Sequence, residues 1–380
     1  MSIRKNTWNL DGHYDLTKDG QNSYSDPSAM PGPFLLYTSG ANTSGQLGHN
    51  EQAQRSSPTQ LPGTQWRSIT SDVYGNMMAT KTDNTLWAWG NNPHGHLGQN
   101  DIIQRSSPTQ IPGTTWGPNI ACSHNGAQFG VKTDGSLWAW GYNYNGQLAY
   151  NDRVYRSSPI QIPGTTWNTI SAGNGVVMAT KTDGSLWTWG RSDDGRSGIG
   201  NEVPRSSPTQ IPGTQWNKLH HGGPFALATK TDGTLWGWGN NAYGNYAQND
   251  IIQRSSPVQI QGTQWDILDG GWASGAATKT DGTLWRWGYN GLGHLAQNDR
   301  VERSSPTQIP GTWSSIGAGN GYTQGLKTDG TFWVWGVNSA GQLGLNERAD
   351  RSSPVQLPGT QWKQAHGLAN SGAIAFLKEP

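Results

Sequence analysis

The stretch Lys181-Thr182-Asp183-Gly184-Ser185-Leu186-Trp187-Thr188-Trp189-Gly190 decides the fold of this 380-residue chain, because it recurs along the whole length. Its Trp-x-Trp-Gly motif ends at Gly90, Gly141, Gly190, Gly239, Gly288 and Gly336, and a diverged copy, Tyr37-Thr38-Ser39, ends at Gly40. From those numbers, successive glycines are 50, 51, 49, 49, 49 and 48 residues apart. Seven copies of a unit of about 50 residues predict a repeat architecture.

Each unit contains four predicted short strands. In one unit these are Leu186–Gly190, an edge strand at 209–213 between two prolines, a strand that starts at Trp216, and Phe225–Lys230. The last strand turns through Asp232-Gly233 into the next Trp-x-Trp motif, and Asp-Gly between two such strands is a strong hairpin signal. Four strands per repeat correspond to one blade of a β-propeller.

The two ends of the chain complete each other in this pattern. Residues 373–378 match the first strand of the hairpin, and the missing second strand lies at residues 34–40. We therefore predict an all-β fold in which residues 34–380 form a single closed seven-bladed β-propeller, with a closing blade made by the N- and C-terminal strands. Residues 1–33 are polar and precede the repeat, and we predict an arm that is disordered or docks on a partner through Trp8 and Tyr14.

Composition limits the possible functions. The formal net charge of +1 predicts no nucleic-acid partner, and no apolar run has the length of a membrane span or of a signal peptide. Cys122 is the single cysteine, the nine histidines show no metal-binding spacing, and no nucleophile elbow or phosphate-binding loop occurs. We therefore expect no cofactor, no metal site, no membrane insertion and no enzymatic activity. The expected location is the cytoplasm, or a virion if a phage encodes the chain.

Most tryptophans belong to the repeat itself. Seven follow the turn before a strand and twelve stand in the six Trp-x-Trp motifs, so 19 of the 21 occupy fixed positions. Such regularity indicates packing between blades rather than a set of binding sites. The acid and arginine that recur in each unit, such as Asp101 and Arg105, are expected to form local ion pairs for the same reason.

Three loops differ between units, and they hold the candidate partner-binding residues. One follows the Trp-Gly motif, one precedes the hairpin, and one lies between the acid and the arginine. Exposed tyrosine and isoleucine in such loops favour a contact surface, although ordinary sequence drift would also produce them. The candidates are Tyr142, Tyr144, Tyr155, Tyr243, Tyr289, Trp272, Ile102, Ile103, Ile251 and Ile252.

The repeat resembles the regulator of chromosome condensation repeat family. The resemblance rests on the Lys-Thr-Asp-Gly-Ser-Leu-Trp-Thr-Trp-Gly stretch at 181–190 and on Gly-Gln-Leu-Gly at 45–48 and 341–344, and it extends over about residues 34–380. It implies a seven-bladed propeller that acts through protein partners. The namesake of the family exchanges nucleotide on a small nuclear GTPase, another branch inhibits β-lactamases, and uniform units like these are similar to bacteriophage-encoded repeat proteins.

Three functions follow from the resemblance and the loops. The leading hypothesis is a virion-associated tail, fibre or decoration protein, docked by its N-terminal arm, which contacts other virion proteins or a host surface through the propeller loops. The first alternative is a cellular protein-binding propeller, either an exchange-factor-like regulator or an enzyme inhibitor. The second alternative is a glycan-binding, lectin-like propeller that uses Trp272 or Tyr142.

Overall fold

The fold consists of antiparallel four-stranded sheets. The structure, a computed structural model, describes residues 33–72, 74–319, 321–359, 362–367 and 373–378, and within them 28 strands form seven sheets. The arm candidates Trp8 and Tyr14 lie outside the described residues. A short 3-10 turn at Asp193–Gly195 is the one helical element among these residues.

We number the sheets along the chain. Sheet 1 contains β1 (Leu35–Gly40), β2 (Arg55–Gln60), β27 (Trp362–Gly367) and β28 (Ala373–Lys378). The other sheets each use four consecutive strands: sheet 2 has β3 (Trp66–Ser71), β4 (Asn76–Lys81), β5 (Leu86–Gly90) and β6 (Arg105–Ile111); sheet 3 has β7 (Trp116–Cys122), β8 (Ala127–Lys132), β9 (Leu137–Gly141) and β10 (Arg156–Ile162); sheet 4 has β11 (Trp167–Ala172), β12 (Val176–Lys181), β13 (Leu186–Gly190) and β14 (Arg205–Ile211); sheet 5 has β15 (Trp216–His221), β16 (Phe225–Lys230), β17 (Leu235–Gly239) and β18 (Arg254–Ile260); sheet 6 has β19 (Trp265–Gly270), β20 (Ser274–Lys279), β21 (Leu284–Gly288) and β22 (Arg303–Ile309); sheet 7 has β23 (Trp313–Ala318), β24 (Tyr322–Lys327), β25 (Phe332–Gly336) and β26 (Arg351–Leu357).

The central hairpin of each sheet forms as its turn residues predict. In sheet 4, Asp183 accepts hydrogen bonds from the backbone nitrogen of Ser185 at 2.9 Å and from its hydroxyl at 2.6 Å. Gly184 takes a φ of 74°, which a side chain would disfavour. The edge strand, predicted at 209–213, is Arg205–Ile211 instead. It starts earlier because Arg205 pairs with Gly190 across a bulge, and the outermost position in the sheet tolerates Pro208.

Tryptophans join neighbouring sheets, which confirms the packing role expected from their regular spacing. The buried Trp189 packs edge-on against Trp167 of its own sheet, with ring centroids 5.9 Å apart. Its indole nitrogen donates to the carbonyl oxygen of Gln147 in sheet 3, 2.7 Å away. The other Trp-x-Trp tryptophan, Trp187, is half-buried, and the amine of Lys181 lies 4.4 Å from its ring centroid.

Sheet 1 is assembled from both ends of the chain. Its strand β1 pairs with β28 over six residue pairs, from Leu35 opposite Lys378 to Gly40 opposite Ala373. A buried apolar cluster continues from this sheet into sheet 2 and includes Leu36, Leu377 and Trp89.

The predicted single closed seven-bladed β-propeller is wrong, because inner strands pack from sheet to sheet at only six junctions among the described residues. The first strand of a sheet packs on the first two strands of the preceding sheet at six junctions, from β7 on β3 and β4 to β27 on β23 and β24. The described residues show no comparable packing of β3 on β27 and β28. The reason lies in the chain ends: elsewhere a hairpin turn bonds to the next sheet, as when Gly135 accepts from Trp167, whereas here Phe34 bonds to Trp66. Sheets 1 and 2 are joined by these backbone bonds, by a hydrogen bond from the Trp89 indole to the Gln46 carbonyl oxygen and by the shared apolar cluster, rather than by their inner strands.

Candidate functional site

All the variable loops lie at one end of the sheets, which we call the variable face. The first and third strands of sheets 2 to 7 run toward this end, so the connections after them share it. Hydrogen bonds link the connection after the first strand to the connection after the third. In sheet 2, for example, the Asn91 nitrogen donates to the carbonyl oxygen of Gly75 at 3.3 Å. Among the described residues, every exposed large hydrophobic side chain except Ile160 belongs to these connections. The opposite end carries the uniform Thr-Asp-Gly turns.

Five aromatic residues from sheets 2 and 3 form a continuous surface, which we call the tyrosine patch: Tyr74, His94, Tyr142, Tyr144 and Tyr155. The ring of His94 lies 5.3 Å from that of Tyr142 and 5.0 Å from that of Tyr155, centroid to centroid. Tyr142 also contacts Tyr155 at 4.9 Å and Tyr144 at 6.4 Å. Exposed fractions of 44% for Tyr74, 60% for Tyr144 and 40% for Tyr155 leave the patch open to a partner.

A buried polar cluster supports the patch from below. His96 connects Tyr74 to His94, with ring centroids 5.9 and 5.5 Å away, and its side chain is buried. The imidazole Nδ1 lies 2.6 Å from the amide nitrogen of Asn76, which also donates to the carboxylate of Asp72. Burial lowers the pKa of His96 to about 3 and raises that of Asp72 to about 7. The neutral imidazole therefore lies as an uncharged ring between Tyr74 and His94.

The hydroxyl of Tyr142 stays protonated. Burial, reinforced by the neighbouring Tyr155, raises the pKa of Tyr142 to about 12. At neutral pH this hydroxyl therefore acts as a hydrogen-bond donor and acceptor rather than as an anion.

The remaining aromatic candidates lie on the same face but in other sheets. Tyr243 of sheet 5 packs edge-on against Tyr289 of sheet 6, with ring centroids 5.1 Å apart. Trp272, which is 48% exposed, covers Gly223 of sheet 5, where an added Cβ would come within 2.9 Å of the indole. The structure thus separates Trp272, Tyr243 and Tyr289 from the tyrosine patch in sheets 2 and 3. The role of each candidate in binding stays a prediction.

The aliphatic candidates stand at the tips of rigid loops. In sheet 2, Asp101 accepts a hydrogen bond from the Ile103 nitrogen at 2.9 Å, and Arg105 donates to the Ile103 carbonyl oxygen at 2.8 Å. A similar clamp holds a β-branched residue in four further sheets, with Asn201 in place of the aspartate in sheet 4. The five residues are 52–63% exposed: Ile103, Val154, Val203, Ile252 and Val301. Ile102 and Ile251 precede two of them and are 68% exposed.

The recurring charges are neutralised within these loops, as their spacing predicts. Asp101 and Arg105 lie 2.7 Å apart, and five other sheets contain the same i,i+4 pair. Sheet 4 differs, because Glu202 accepts instead from the amide of Gln253 in sheet 5 at 2.7 Å.

Sheet 6 contains a buried charge that departs from the repeat. Arg286 occupies the middle of its Trp-x-Trp motif, where the other units have threonine, alanine, glycine or valine. Its guanidinium is fully buried and donates to the hydroxyls of Thr323 and Ser274. Burial raises the pKa of the nearby Asp269 to about 7, against the attraction of Arg286.

Two members of the tyrosine patch were absent from the candidates chosen from sequence. Tyr74 lies in one of the variable loops, so its position was a usable signal. His94 lies in another, the loop that follows the Trp-Gly motif of sheet 2. Contact between these residues and Tyr142 depends on how sheets 2 and 3 pack, which a single sequence does not report.

Two features of the described part of the chain bear on other functions. No group of three or more His, Cys, Asp or Glu residues there is arranged to hold a metal ion. That part also lacks a helix with the length and apolar character needed to cross a membrane.

Comparison with known proteins agrees with the architecture. A family model described as an RCC1-like domain matches residues 35–376. The structure is similar to that of human WBSCR16, with a TM-score of 0.78 and 21% identity over 91% of this chain and 99% of that one. It is also similar to Prp20p from Saccharomyces cerevisiae, with a TM-score of 0.82 and 16% identity over 94% of this chain and 95% of that one. No curated protein sequence matches the chain.

Proposed function

We propose, from the premise that this chain belongs to the RCC1-like domain family, that it is a protein-binding β-propeller without enzymatic activity of its own. The observation that carries the proposal is the concentration of exposed aromatic and aliphatic side chains on the variable face. Tyrosine and β-branched residues held on rigid loops supply contact area with little loss of side-chain entropy on binding.

A protein with a similar fold binds other proteins. The yeast structure was described together with the binding of Prp20p to Gsp1p and histones, and a second one contains Kap60 bound to yeast RCC1 (Prp20). Because the identity is only 16%, these particular partners are not transferred to this chain. What supports the proposal is the general mode of action, the binding of other proteins. This mode favours a cellular regulator or inhibitor over the virion-associated role, which stays a prediction from the sequence resemblance.

The variable face can be tested directly. The purified chain would be immobilised and its partners identified by quantitative cross-linking and mass spectrometry from an extract of the source cells. We expect one stoichiometric partner that is lost when Ile252 and Val301 are both changed to Ser. The matched control changes Lys132 and Lys181 to Ala on the opposite end, and it should retain the partner. Capture that survives the first change and is lost in the control would refute the proposed face.

The virion role has its own test. Purified particles of a phage that encodes the chain would contain it in stoichiometric amount, as measured by mass spectrometry. Its absence from such particles would remove that role.

A further inference from the structure

The tyrosine patch offers hydrogen-bond donors, and a positive charge lies in one of its loops. Arg153 is exposed and stands two residues before Tyr155 in the connection between β9 and β10. No ion pair or hydrogen bond of its side chain occurs among the described contacts. The tyrosyl hydroxyls of the patch add hydrogen-bond donors.

The carboxylates around the patch are already engaged. Asp72 is buried, Asp101 pairs with Arg105 at 2.7 Å, and Asp152 pairs with Arg156 at 2.6 Å. These three are the acidic residues in the variable-face connections of sheets 2 and 3. The surface is therefore apolar with a positive edge, and a partner would complement it with apolar groups next to a negative charge.

Two buried amides of these connections hold their own loops. Asn143 donates to the carbonyl oxygens of Asp152 and Val154 at 3.2 and 3.1 Å, and its own oxygen accepts from the Leu148 nitrogen at 2.8 Å. Asn92 does the same in sheet 2 with Asp101, Ile103 and Leu97. These amides fix the backbone that carries the patch, so the surface offered to a partner is one of aromatic rings with a positive charge in the same loop, which suits a peptide with a carboxylate.

We propose that the tyrosine patch and Arg153 bind a protein segment in which aliphatic or aromatic residues stand beside Asp or Glu. The apolar residues would lie on Tyr144, Tyr155 and Tyr74, and the carboxylate would pair with Arg153. This inference rests on the proposed protein-binding function and names the partner chemistry at one part of the variable face.

The test starts from a displayed library of random 12-residue peptides selected on the purified full chain. The most enriched peptide would be synthesised with a fluorescein label, and its affinity measured by fluorescence anisotropy. We expect enriched sequences that combine Leu, Ile, Phe or Trp with Asp or Glu. Tyr144→Ala and Arg153→Glu should each weaken binding by about tenfold or more, and Arg153→Glu should also reduce its dependence on salt.

The control is Trp272→Ala, which removes another exposed aromatic of the same face and should change the affinity less than about twofold. Failure to enrich peptides, enriched peptides without acidic residues, or full binding by the Arg153→Glu variant would overturn the inference. Glycan-array binding that depends on Tyr144 would overturn it as well. If the cellular partner still requires Ile252 and Val301 in those cases, the proposed function stands and only the tyrosine-patch assignment fails.

Discussion

The indole nitrogen of Trp140 in sheet 3 donates a hydrogen bond to the carbonyl oxygen of His96 in sheet 2, 2.9 Å away. Equivalent bonds join five other pairs of sheets: Trp89 to Gln46, Trp189 to Gln147, Trp238 to Arg196, Trp287 to Asn245, and Trp335 to His294. The same backbone position that supports the tyrosine patch therefore also holds two sheets together.

Trp140→Phe should lower the free energy of unfolding by about 1–3 kcal/mol, because it leaves the buried His96 carbonyl without its donor and removes packed atoms. Urea unfolding measures this cost. The control Trp138→Phe removes a bond from the indole to Ser136 at a half-buried position of the same strand, and it should cost less. Equal losses would contradict the role of Trp140 as a junction between sheets.

Gly237 and Tyr246 are matched in shape within sheet 5. An added Cβ on Gly237 would lie 2.4 Å from the Cβ of Tyr246, whereas sheet 2 has Ala88 and Leu97 at the same two places. Gly237→Ala should therefore destabilise the chain by overpacking, and Tyr246→Leu by leaving a void. The double variant should lose less unfolding free energy than the two single variants lose together, with a coupling of about 1–3 kcal/mol in a double-mutant cycle. Additive losses would argue against the contact.

The two members of the Asp101–Arg105 pair should not contribute equally. Arg105→Met removes a partly exposed ion pair and should change the unfolding free energy by less than about 1 kcal/mol. Asp101→Asn also weakens the bonds that Asp101 accepts from Ile103 and Asn92, so it should cost more and expose the loop to limited proteolysis. Similar proteolysis rates for both variants would show that the loop does not depend on this carboxylate.

Asp72 should make stability depend on pH. Its pKa is raised from 3.8 to about 7 by burial, so between these values the folded chain binds a proton that the unfolded chain releases. Its contribution to stability therefore falls as pH rises from about 4 to about 7. Asp72→Asn removes this titration. Across that pH window the unfolding free energy of the variant should therefore rise, relative to that of the wild type, by up to about 4 kcal/mol.

Chemical unfolding at a series of pH values measures the difference. His96, whose pKa burial lowers to about 3, stays neutral in both folded proteins over this range. The control is Asp134→Asn in an exposed turn, where hydrogen bonds from Ser136 lower the carboxyl pKa. Above about pH 5, the difference in unfolding free energy between Asp134→Asn and the wild type should not change with pH. If the difference for Asp72→Asn were also independent of pH, the raised pKa of Asp72 would be contradicted.

Repetition explains how much of the fold the sequence predicts. Strands such as Leu186–Gly190, the Asp183-Gly184 turn and the packing of Trp189 each follow from local chemistry that is repeated along the chain. The junction between sheets 1 and 2 does not follow from the repeat. There the chain ends stand in place of a hairpin turn, and Phe34 forms the backbone hydrogen bonds to Trp66 that a turn residue forms elsewhere.

The candidate site was predictable only in part. Tyr142, Tyr144 and Tyr155 stand out because they interrupt a regular pattern, and the structure brings them together. Their contact with His94 arises from packing between two sheets, which local spacing does not encode.

The pairing of Leu35 with Lys378 has a consequence for biosynthesis. Strand β1 is synthesised next to its partner β2, but its other neighbour, β28, follows only after the strands of the six other sheets. During that interval the nascent chain displays an unpaired strand edge that could capture a second nascent chain. The synthesis of β28, rather than of any earlier repeat, is the event that removes this hazard.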